Sequence, residues 1–203
     1  MSFTLWFTGI SGSGKTTLSH KIYLNLKSRG LKVELLDGDL IRESFGQDLG
    51  FSKKDRDIQV RRLGLISHLL NKNDIIAIVG AIAPYASARE NNRQLIDRYI
   101  EVYCACPLEV AESRDVKGLY AKARAGEISN FTGISDPYEI PVAPEVMIKT
   151  DIESIHGCST KIINYLEECE DIPCSAYCHF SDYYEEEYQL WRRRLAKLGF
   201  CKG

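Results

Sequence analysis

The stretch that decides the fold reads Gly9-Ile10-Ser11-Gly12-Ser13-Gly14-Lys15-Thr16 and matches G-x-x-x-x-G-K-[ST] at every fixed position. An apolar run leads into it, and a pattern of helical period from Thr16 to Leu26 follows. The glycines let backbone N–H groups turn toward phosphate oxygens. We expect Lys15 to bridge the outer phosphates of ATP and Thr16 to ligate Mg²⁺. The predicted ATP phosphate site comprises Gly9, Ser11, Gly12, Ser13, Gly14, Lys15, Thr16 and Thr17.

The composition limits the classes of protein that remain. With 203 residues, 44% of them hydrophobic, the chain can bury one substantial core. The formal net charge of −2 shows no basic excess, which disfavours nucleic acid as a partner. No apolar run approaches membrane-spanning length, and Met1 leads straight into a strand-like segment without a secretory signal. We therefore expect a soluble cytoplasmic protein without a membrane partner.

Seven cysteines are scattered through the chain, an odd number without the spacing of a disulfide framework. We expect mostly free thiols. The densest group consists of Cys169, Cys174, Cys178 and His179, which are potential zinc ligands but lack paired C-x-x-C spacing. Whether this group binds metal stays open at the level of sequence.

Short β-rich runs alternate with segments of helical period along the chain. This alternation predicts an α/β P-loop NTPase or kinase fold, with a parallel central sheet flanked by helices. The expected strands are Thr4 to Thr8, Val33 to Leu36, Ile75 to Val79, Ile100 to Cys104 and Val146 to Lys149. The segment from Asp115 to Pro144 is rich in glycine and proline and only weakly periodic, so it predicts a mobile lid.

Asp37 and Asp39 stand two residues apart at the end of the second predicted strand. In extended geometry both carboxylates would lie on one face, toward the phosphate loop. Phosphoryl transfer requires charge neutralisation and a carboxylate that takes the proton of the attacking hydroxyl. We predict Asp39 as that base and as a metal ligand. The alternative is a polar turn that caps a helix beginning at Leu40.

An ordered series of motifs begins with L-D-G-D-x-x-R at Leu36 to Arg42 and D-L-G-F-S-x-x-D-R at Asp48 to Arg56. It continues with V-R-R, P-L-E-V, R-D-V-K-G-L-Y, A-R-A-G-E-I, F-T-G-I and D-P-Y-E-x-P. The series resembles the adenylylsulfate kinase (APS kinase) family of P-loop kinases. The resemblance ends near residue 168, so we expect a kinase domain over 1–170 and a helical extension of unknown role over 171–203.

The resemblance implies transfer of the ATP γ-phosphate to the 3′-hydroxyl of adenosine 5′-phosphosulfate, giving 3′-phosphoadenosine 5′-phosphosulfate. It implies that two arginines hold the phosphosulfate, that two phenylalanines sandwich the adenine, and that a lid lysine neutralises charge at the phosphates. The plain alternatives are core packing for the phenylalanines and a solvated surface for the lysine. The implied acceptor residues are Asp37, Arg42, Phe51, Arg56, Gln59, Lys117 and Phe131, and the catalytic residues are Asp39, Lys15 and Lys117.

The chain departs from the family pattern on the acceptor side. Where the family writes F-I-S-P-Y-R-x-D-R, this chain has alanine at 81, 83, 86 and 88, and Gln59 replaces an expected asparagine. Ala83 cannot become a phosphoserine, so we expect direct transfer. Because these changes cluster around the acceptor, the alternative is a kinase of this family that acts on another nucleotide anhydride, such as cytidine diphosphoramidate.

Two further function classes compete with the kinase. Asn71 to Asp74 fits the guanine motif N-K-x-D and Asp115 to Gly118 fits D-x-x-G, but their order is reversed relative to a GTPase. A catalytically silent ATP-binding partner is the other, although it is disfavoured by the retention of Lys15, Asp37, Asp39 and Lys117. The resemblance also implies a homodimer, while association with a separate sulfurylase stays open.

The extension has a readable pattern of its own. Ser181-Asp182 can cap a helix with glutamates in its first turns and arginines in its last, the order that the helix dipole favours. An apolar stripe needs a partner surface, which we expect to be the same domain rather than a second protein. The stripe consists of Tyr184, Tyr188, Trp191, Leu195 and Leu198.

Overall fold

The computed structural model describes residues 2–173, 182–197 and 199. The described part contains a five-stranded sheet whose strand pairs are all parallel, in the order β2-β3-β1-β4-β5. The strands are β1 (Thr4–Thr8), β2 (Val33–Asp37), β3 (Ile76–Gly80), β4 (Tyr99–Ala105) and β5 (Val146–Lys149). The helices are α1 (Lys15–Ser28), α2 (Gly38–Phe45), α3 (Lys53–Asn71), α4 (Ala86–Leu95), α5 (Leu108–Arg114), α6 (Leu119–Arg124), α7 (Ile155–Glu168) and α8 (Asp182–Lys197).

Helices cover both faces of the sheet, which explains why its inner strands are almost continuously apolar. One face packs on α1 and α7, through residues such as Phe7, Ile22 and Ile162. The other face packs on α3 and α4 around Trp6 and Leu63. The predicted α/β fold with a parallel central sheet is therefore confirmed.

Several expected boundaries move by a few residues for local reasons. Helix α3 begins at Lys53 because the Ser52 hydroxyl accepts a hydrogen bond from Asp55 N at 3.2 Å and caps the first turn. Helix α2 begins at Gly38 because the Asp37 carboxylate caps it. Polar capping residues in the sequence were the available signals for both starts.

The carboxyl ends of the strands form the edge that matters for ligand binding. The chain begins in the middle of the sheet with β1, whose neighbours are β3 on one side and β4 on the other. The chain goes from β1 to β2 and β3 on one side of the sheet, and then crosses to β4 on the other side of β1. Where the strand order reverses in this way, a crevice opens above the strand ends, and ligands of open α/β folds bind there. The loop from Gly9 to Gly14 leaves β1 at this crevice.

Helix α8 packs against α1 through an aromatic cluster. Tyr188 is buried, its ring centroid 4.4 Å from His20 and 5.8 Å from Tyr23. Trp191, in contrast, remains 42% exposed. The expected helix is therefore present and contacts its own domain. Ser181, Leu198 and the side chain of Tyr184 lie outside the described residues.

The four described cysteines, Cys104, Cys106, Cys158 and Cys169, carry free thiols. Among the described residues no group of three or more histidine, cysteine or acidic side chains could hold a metal ion. Cys174, Cys178 and His179 lie outside the described residues, so the zinc hypothesis for that group stays a hypothesis. In the described part, none of the helices is long and apolar enough to cross a membrane.

Candidate active site

The phosphate loop has the backbone geometry that its glycines predict. Gly12 has φ +74°, and a Cβ added there would lie 2.9 Å from the carbonyl oxygen of Ala111. Gly14 has φ +85° and forms the left-handed residue before α1. Only glycine fits such a position without strain and without displacing neighbouring backbone. The loop therefore directs the first N–H groups of α1 toward the crevice.

Lys15 is buried at the start of α1, although it carries an amine. Its Nζ donates to the carbonyl oxygen of Ile10 at 2.7 Å. Burial lowers the pKa of Lys15 to about 8, against the opposing charges of Cys104 and of Asp39 and Asp37. The loop lysine therefore lies within electrostatic reach of both carboxylates.

The two carboxylates after β2 have different environments. Asp37 Oδ1 accepts hydrogen bonds from Asp39 N at 2.9 Å and Leu40 N at 3.1 Å, so Asp37 caps α2. The expectation of an extended segment through residue 39 is wrong, because the strand ends at Asp37 and Asp39 belongs to the first helical turn. The alternative expectation of a polar turn that caps a helix is met by Asp37. The Asp39 side chain, in contrast, remains 69% exposed.

The lid lysine meets the exposed carboxylate. Lys117 Nζ forms an ion pair and a hydrogen bond with Asp39 Oδ2, although 78 positions separate the two residues in the chain. Burial lowers the pKa of Lys117, but the hydrogen bond and charge of Asp39 outweigh burial, so that the net shift is upward. The two carboxylate oxygens of Asp115 accept from the N–H groups of Tyr120 and Ala121, which caps α6 and holds the segment beside Lys117.

Two arginines flank one exposed aromatic ring on the acceptor side. The guanidinium carbon of Arg42 lies 4.4 Å from the ring centroid of Phe51, and that of Arg56 lies 5.7 Å from it. Phe51 is 54% exposed, so its ring has free area for a further stacked group. Arg56 also donates to the carbonyl oxygens of Phe51 at 3.1 Å and Asn130 at 2.6 Å. It thereby brings Phe51 beside the segment that precedes Phe131.

Phe131 is buried, unlike Phe51. Its ring meets Tyr120 edge to face, with centroids 5.0 Å apart, in a small apolar cluster that includes Ile10 and Ala111. The Tyr120 hydroxyl donates to the carbonyl oxygen of Ser11 at 2.9 Å. The lid is therefore attached to the phosphate loop, and Phe131 takes part in that attachment.

The expected residues consequently meet at one edge of the sheet, on three different parts of the chain. The phosphate loop contributes Lys15 and Thr16, the turn after β2 contributes Asp39, and the lid contributes Lys117. The model of one protein family, adenylylsulphate kinase, matches residues 1–149 of this chain. This chain belongs to the adenylylsulfate kinase family.

Curated relatives and solved structures agree with this assignment. The adenylyl-sulfate kinase of Halothermothrix orenii is 53% identical over 165 residues, which is 81% of this chain and 89% of that protein. The adenylyl-sulfate kinase of Picosynechococcus is 52% identical over 165 residues, 81% of this chain and 93% of its own length. The Mycobacterium tuberculosis APS kinase, solved in complex with AMPPNP and APS, superposes with a TM-score of 0.79 at 41% identity, covering 82% of this chain and 98% of that one.

Gln59, which replaces the asparagine typical of adenylylsulfate kinases, lies buried below the Asp37-Gly38-Asp39 turn. It is 6% exposed, and its Nε2 donates to the Gly38 carbonyl oxygen at 3.5 Å. Its Oε1 is buried without a hydrogen-bond partner. The longer amide therefore reaches the backbone of the carboxylate turn and keeps one acceptor uncommitted.

The loop after β3, which contains the alanines that depart from the family pattern, packs beside this turn. A Cβ added at Gly38 would lie 2.8 Å from the Gly80 carbonyl oxygen and 3.2 Å from Ala81 Cβ. Ala83 is buried and has φ +44°, in the left-handed region that residues other than glycine rarely occupy. The surrounding structure therefore imposes this backbone conformation.

Several residues around the site were not predicted as functional. Arg114 donates to the carbonyl oxygens of Gly12 at 3.1 Å and Thr150 at 2.6 Å, and Arg89 and Glu139 hold the loop that contains Ala83. The signals were present, since Arg114 begins R-D-V-K-G-L-Y and Glu139 lies in D-P-Y-E-x-P. Their partners are backbone groups, however, which no sequence pattern identifies.

The competing guanine motif has a structural explanation. Asn71 Nδ2 donates to the carbonyl oxygens of Phe3 at 2.9 Å and Ile75 at 3.0 Å, and Asn71 Oδ1 accepts from Thr4 at 2.7 Å. These partners lie at the amino ends of β1 and β3, opposite to the phosphate loop. Asn71 therefore joins the elements of the sheet and offers no guanine site.

Proposed function

We propose that this protein transfers the γ-phosphate of ATP to the 3′-hydroxyl of adenosine 5′-phosphosulfate in the cytoplasm. The observation that carries the proposal is the contact of Lys117 with Asp39, within electrostatic reach of Lys15. This contact brings a candidate base and a lid cation together, near the cation of the phosphate loop. The names of the relatives favour adenylyl sulfate over the diphosphoramidate alternative.

In this reaction the oxygen of the 3′-hydroxyl attacks the γ-phosphorus of ATP, and Asp39 accepts the proton of that hydroxyl. Lys15 and Lys117 neutralise the charge that develops on the phosphoryl oxygens and on the leaving ADP. The step is direct, because Ala83 has no oxygen on which a phosphoenzyme could form. Release of Asp39 from Lys117 frees the carboxylate for the proton.

The acceptor binds on the side of Arg42 and Arg56. Their guanidiniums suit the phosphosulfate dianion because each presents a planar set of donors. The adenine stacks on the exposed ring of Phe51, with Phe131 at the edge of the lid as its second neighbour and Gln59 below. Asp37 shapes this pocket through the cap of α2.

Mg²⁺ fits the oxygen donors present here. Thr16 stands in the first turn of α1, and the carboxylate of Asp39 is exposed near the same loop. A hydroxyl and a carboxylate are ligands that Mg²⁺ accepts together with phosphate oxygens. When bound there, the ion supplies positive charge to the phosphates of ATP.

A turnover assay tests the proposal. Purified protein with ATP and adenosine 5′-phosphosulfate should form ADP and 3′-phosphoadenosine 5′-phosphosulfate in equal amounts, with far lower turnover on cytidine diphosphoramidate. A negligible rate on adenosine 5′-phosphosulfate, beside a substantial rate on the diphosphoramidate, would overturn the acceptor assignment.

We also propose that residues 1–170 form the kinase domain, that 171–203 form an accessory extension, and that the protein is a homodimer. The kinase-domain assignment rests on the family match, which ends at residue 149. The dimer rests on the family resemblance. Light scattering would contradict the dimer if the mass in solution equalled one chain of 23.0 kDa.

A further inference from the structure

Arg89, on α4, is a buried cation with an unusual set of partners. It is 4% exposed, and its Nε forms an ion pair with Glu101 Oε1 at 3.0 Å. Its two terminal nitrogens donate to backbone carbonyl oxygens, to Ala83 at 2.6 Å and to Glu139 at 2.7 Å. One guanidinium thus joins two segments that are remote in sequence. We call residues 82–86 the acceptor loop and residues 136–139 the lid base.

Glu139 reinforces the same junction from the other side. Its carboxylate accepts from the N–H of Ala86 at 2.6 Å, at the first residue of α4, and its own N–H donates to Pro84 at 2.8 Å. A carboxylate at a helix N-terminus is favoured by the helix dipole. Counting the Arg89 contact, Arg89 and Glu139 therefore hold the acceptor loop at three backbone positions, 83, 84 and 86.

The junction extends to the phosphate loop. The Tyr138 hydroxyl donates to Thr8 Oγ1 at 2.8 Å, and the Thr8 hydroxyl donates to the Ile82 carbonyl oxygen at 2.7 Å. Thr8 is the residue before Gly9. Lid base, acceptor loop and phosphate loop consequently meet through the side chains of Thr8 and Tyr138, neither of which is among the proposed substrate-binding residues.

The acceptor loop of this chain cannot fix itself. Alanines at 83, 86 and 88 have no polar side-chain atoms, and Ala83 holds a left-handed φ of +44°. A strained conformation persists only where its surroundings determine it. Here Arg89 and Glu139 hold the backbone at and after this strained position, while Thr8 contacts the loop at Ile82 and the Tyr85 hydroxyl donates to Asp136 at 3.4 Å. The loop also lies beside the helix that carries the acceptor arginine, since the Lys53 ammonium nitrogen lies 4.7 Å from the ring centroid of Tyr85 and Lys53 shares the start of α3 with Arg56.

We propose that Arg89, together with Glu139, is a positioning residue that fixes the acceptor loop to the lid base and so sets the affinity for the nucleotide acceptor. The inference rests on the proposed function for its kinetic readout. Thr8 and Tyr138 link the junction to the phosphate loop, but the described contacts of Arg89 and Glu139 do not reach that loop, which Lys15 holds through the Ile10 carbonyl oxygen. The effect of changing Arg89 or Glu139 therefore falls on the acceptor and not on ATP.

The variants Arg89→Lys and Glu139→Ala test the proposal in the full chain. We expect Arg89→Lys to raise KM for adenosine 5′-phosphosulfate about tenfold and Glu139→Ala about threefold, with KM for ATP within about twofold of wild type. Glu139→Gln keeps an oxygen for the Ala86 N–H and should restore the wild-type KM. Should Arg89→Lys fail to fold, the comparison of Glu139→Ala with Glu139→Gln still tests the proposal, because Glu139 is exposed and its replacement removes no buried side chain.

Arg93→Lys is the matched control on the same helix. Arg93 pairs with Glu145 and with the same Glu101, yet it makes no contact with the acceptor loop among those described. We expect Arg93→Lys to lower the thermal midpoint and leave KM for the acceptor unchanged. The proposal is overturned if Arg89→Lys and Glu139→Ala behave like this control, so that the thermal midpoint falls while KM for the acceptor stays unchanged.

Amide hydrogen exchange separates this inference from the proposed function. In Glu139→Ala, exchange should rise together at residues 83–88 and 136–140, whatever the acceptor. No turnover of adenosine 5′-phosphosulfate by the wild type would remove the proposed function, while unchanged exchange in the variant would remove the junction.

Discussion

Asp37 and Asp39 are chemically identical side chains, but the backbone gives them opposite environments. Asp37 spends one oxygen on two N–H groups of α2, whereas Asp39 is exposed and paired with the lid lysine. A capping carboxylate can be replaced by an amide that accepts the same hydrogen bonds. A general base cannot, because a carboxamide does not take up the proton.

We therefore expect Asp39→Asn to lower kcat by about 10²-fold or more, the usual contribution of a general base. Asp37→Asn keeps the cap and should change kcat by less than about tenfold. Steady-state kinetics of both variants check this pair. Equal losses in both, with unchanged unfolding midpoints, would contradict the assignment of Asp39 as the base.

At the scale of elements, α8 contacts α1, the helix that carries Lys15 at its start. The contact is built on His20, whose ring packs with those of Tyr23 and Tyr188 and whose Nε2 lies 3.4 Å from Glu185 Oε2. Burial lowers the pKa of His20 below its usual 6.5, Glu185 opposes this shift, and Arg192 adds to it. The folded protein therefore favours the neutral imidazole.

The sign of the pH dependence follows from this shift. Below about pH 6.5 the unfolded chain binds the His20 proton more readily than the folded chain, so stability falls as the pH is lowered through the depressed folded pKa. We expect the thermal midpoint to drop between about pH 7.5 and about pH 5.5, and His20→Gln to reduce the drop.

His156→Gln is the control for that experiment, because His156 is an exposed residue in the first turn of α7. Its midpoint should follow the pH as wild type does. If His20→Gln and wild type lost equal stability on acidification, the aromatic cluster would not be the titrating element.

At the scale of the whole molecule, the packing of the domain continues past residue 170. Asp171 forms a bidentate pair with Arg98, at 2.7 and 2.9 Å, and Ile172 is 3% exposed in the main core. Arg29 donates to the Pro173 carbonyl oxygen at 3.0 Å. These contacts tie residues 171–173 to the sheet and to α1.

Two truncated chains, one ending at Glu170 and one at Pro173, measure how much residues 171–173 contribute to stability. A chain ending at Pro173 loses the packing of Tyr188 alone among the buried residues described, whereas a chain ending at Glu170 also loses the Arg98 pair and Ile172. We expect the shorter chain to be less stable than the longer by about 3 kcal/mol, from one buried aliphatic side chain and a half-buried ion pair. Urea unfolding checks this, and equal midpoints would place the boundary at 170.

The pattern of the sequence was sufficient for the architecture. Apolar runs at Val33 and Ile76 predicted strands because a parallel sheet buried on both faces needs near-continuous apolar residues. The ordered motifs predicted the family because the complete series, in this order along the chain, is far more specific than any one of its motifs. Apolar periodicity does not indicate the start of α3 at Lys53, because a polar cap rather than an apolar stripe defines that boundary.

The sequence by itself determined the parallel α/β fold, the phosphate loop and the family, since these depend on local glycine geometry and on the burial pattern of each segment. Only the tertiary structure decided that Asp37 caps a helix, that Phe131 is buried while Phe51 is exposed, and that Arg89 and Glu139 bind the acceptor loop. Those outcomes depend on backbone groups brought together from distant parts of the chain. A carbonyl oxygen is the same at every residue, so no sequence pattern shows which one a buried guanidinium will find.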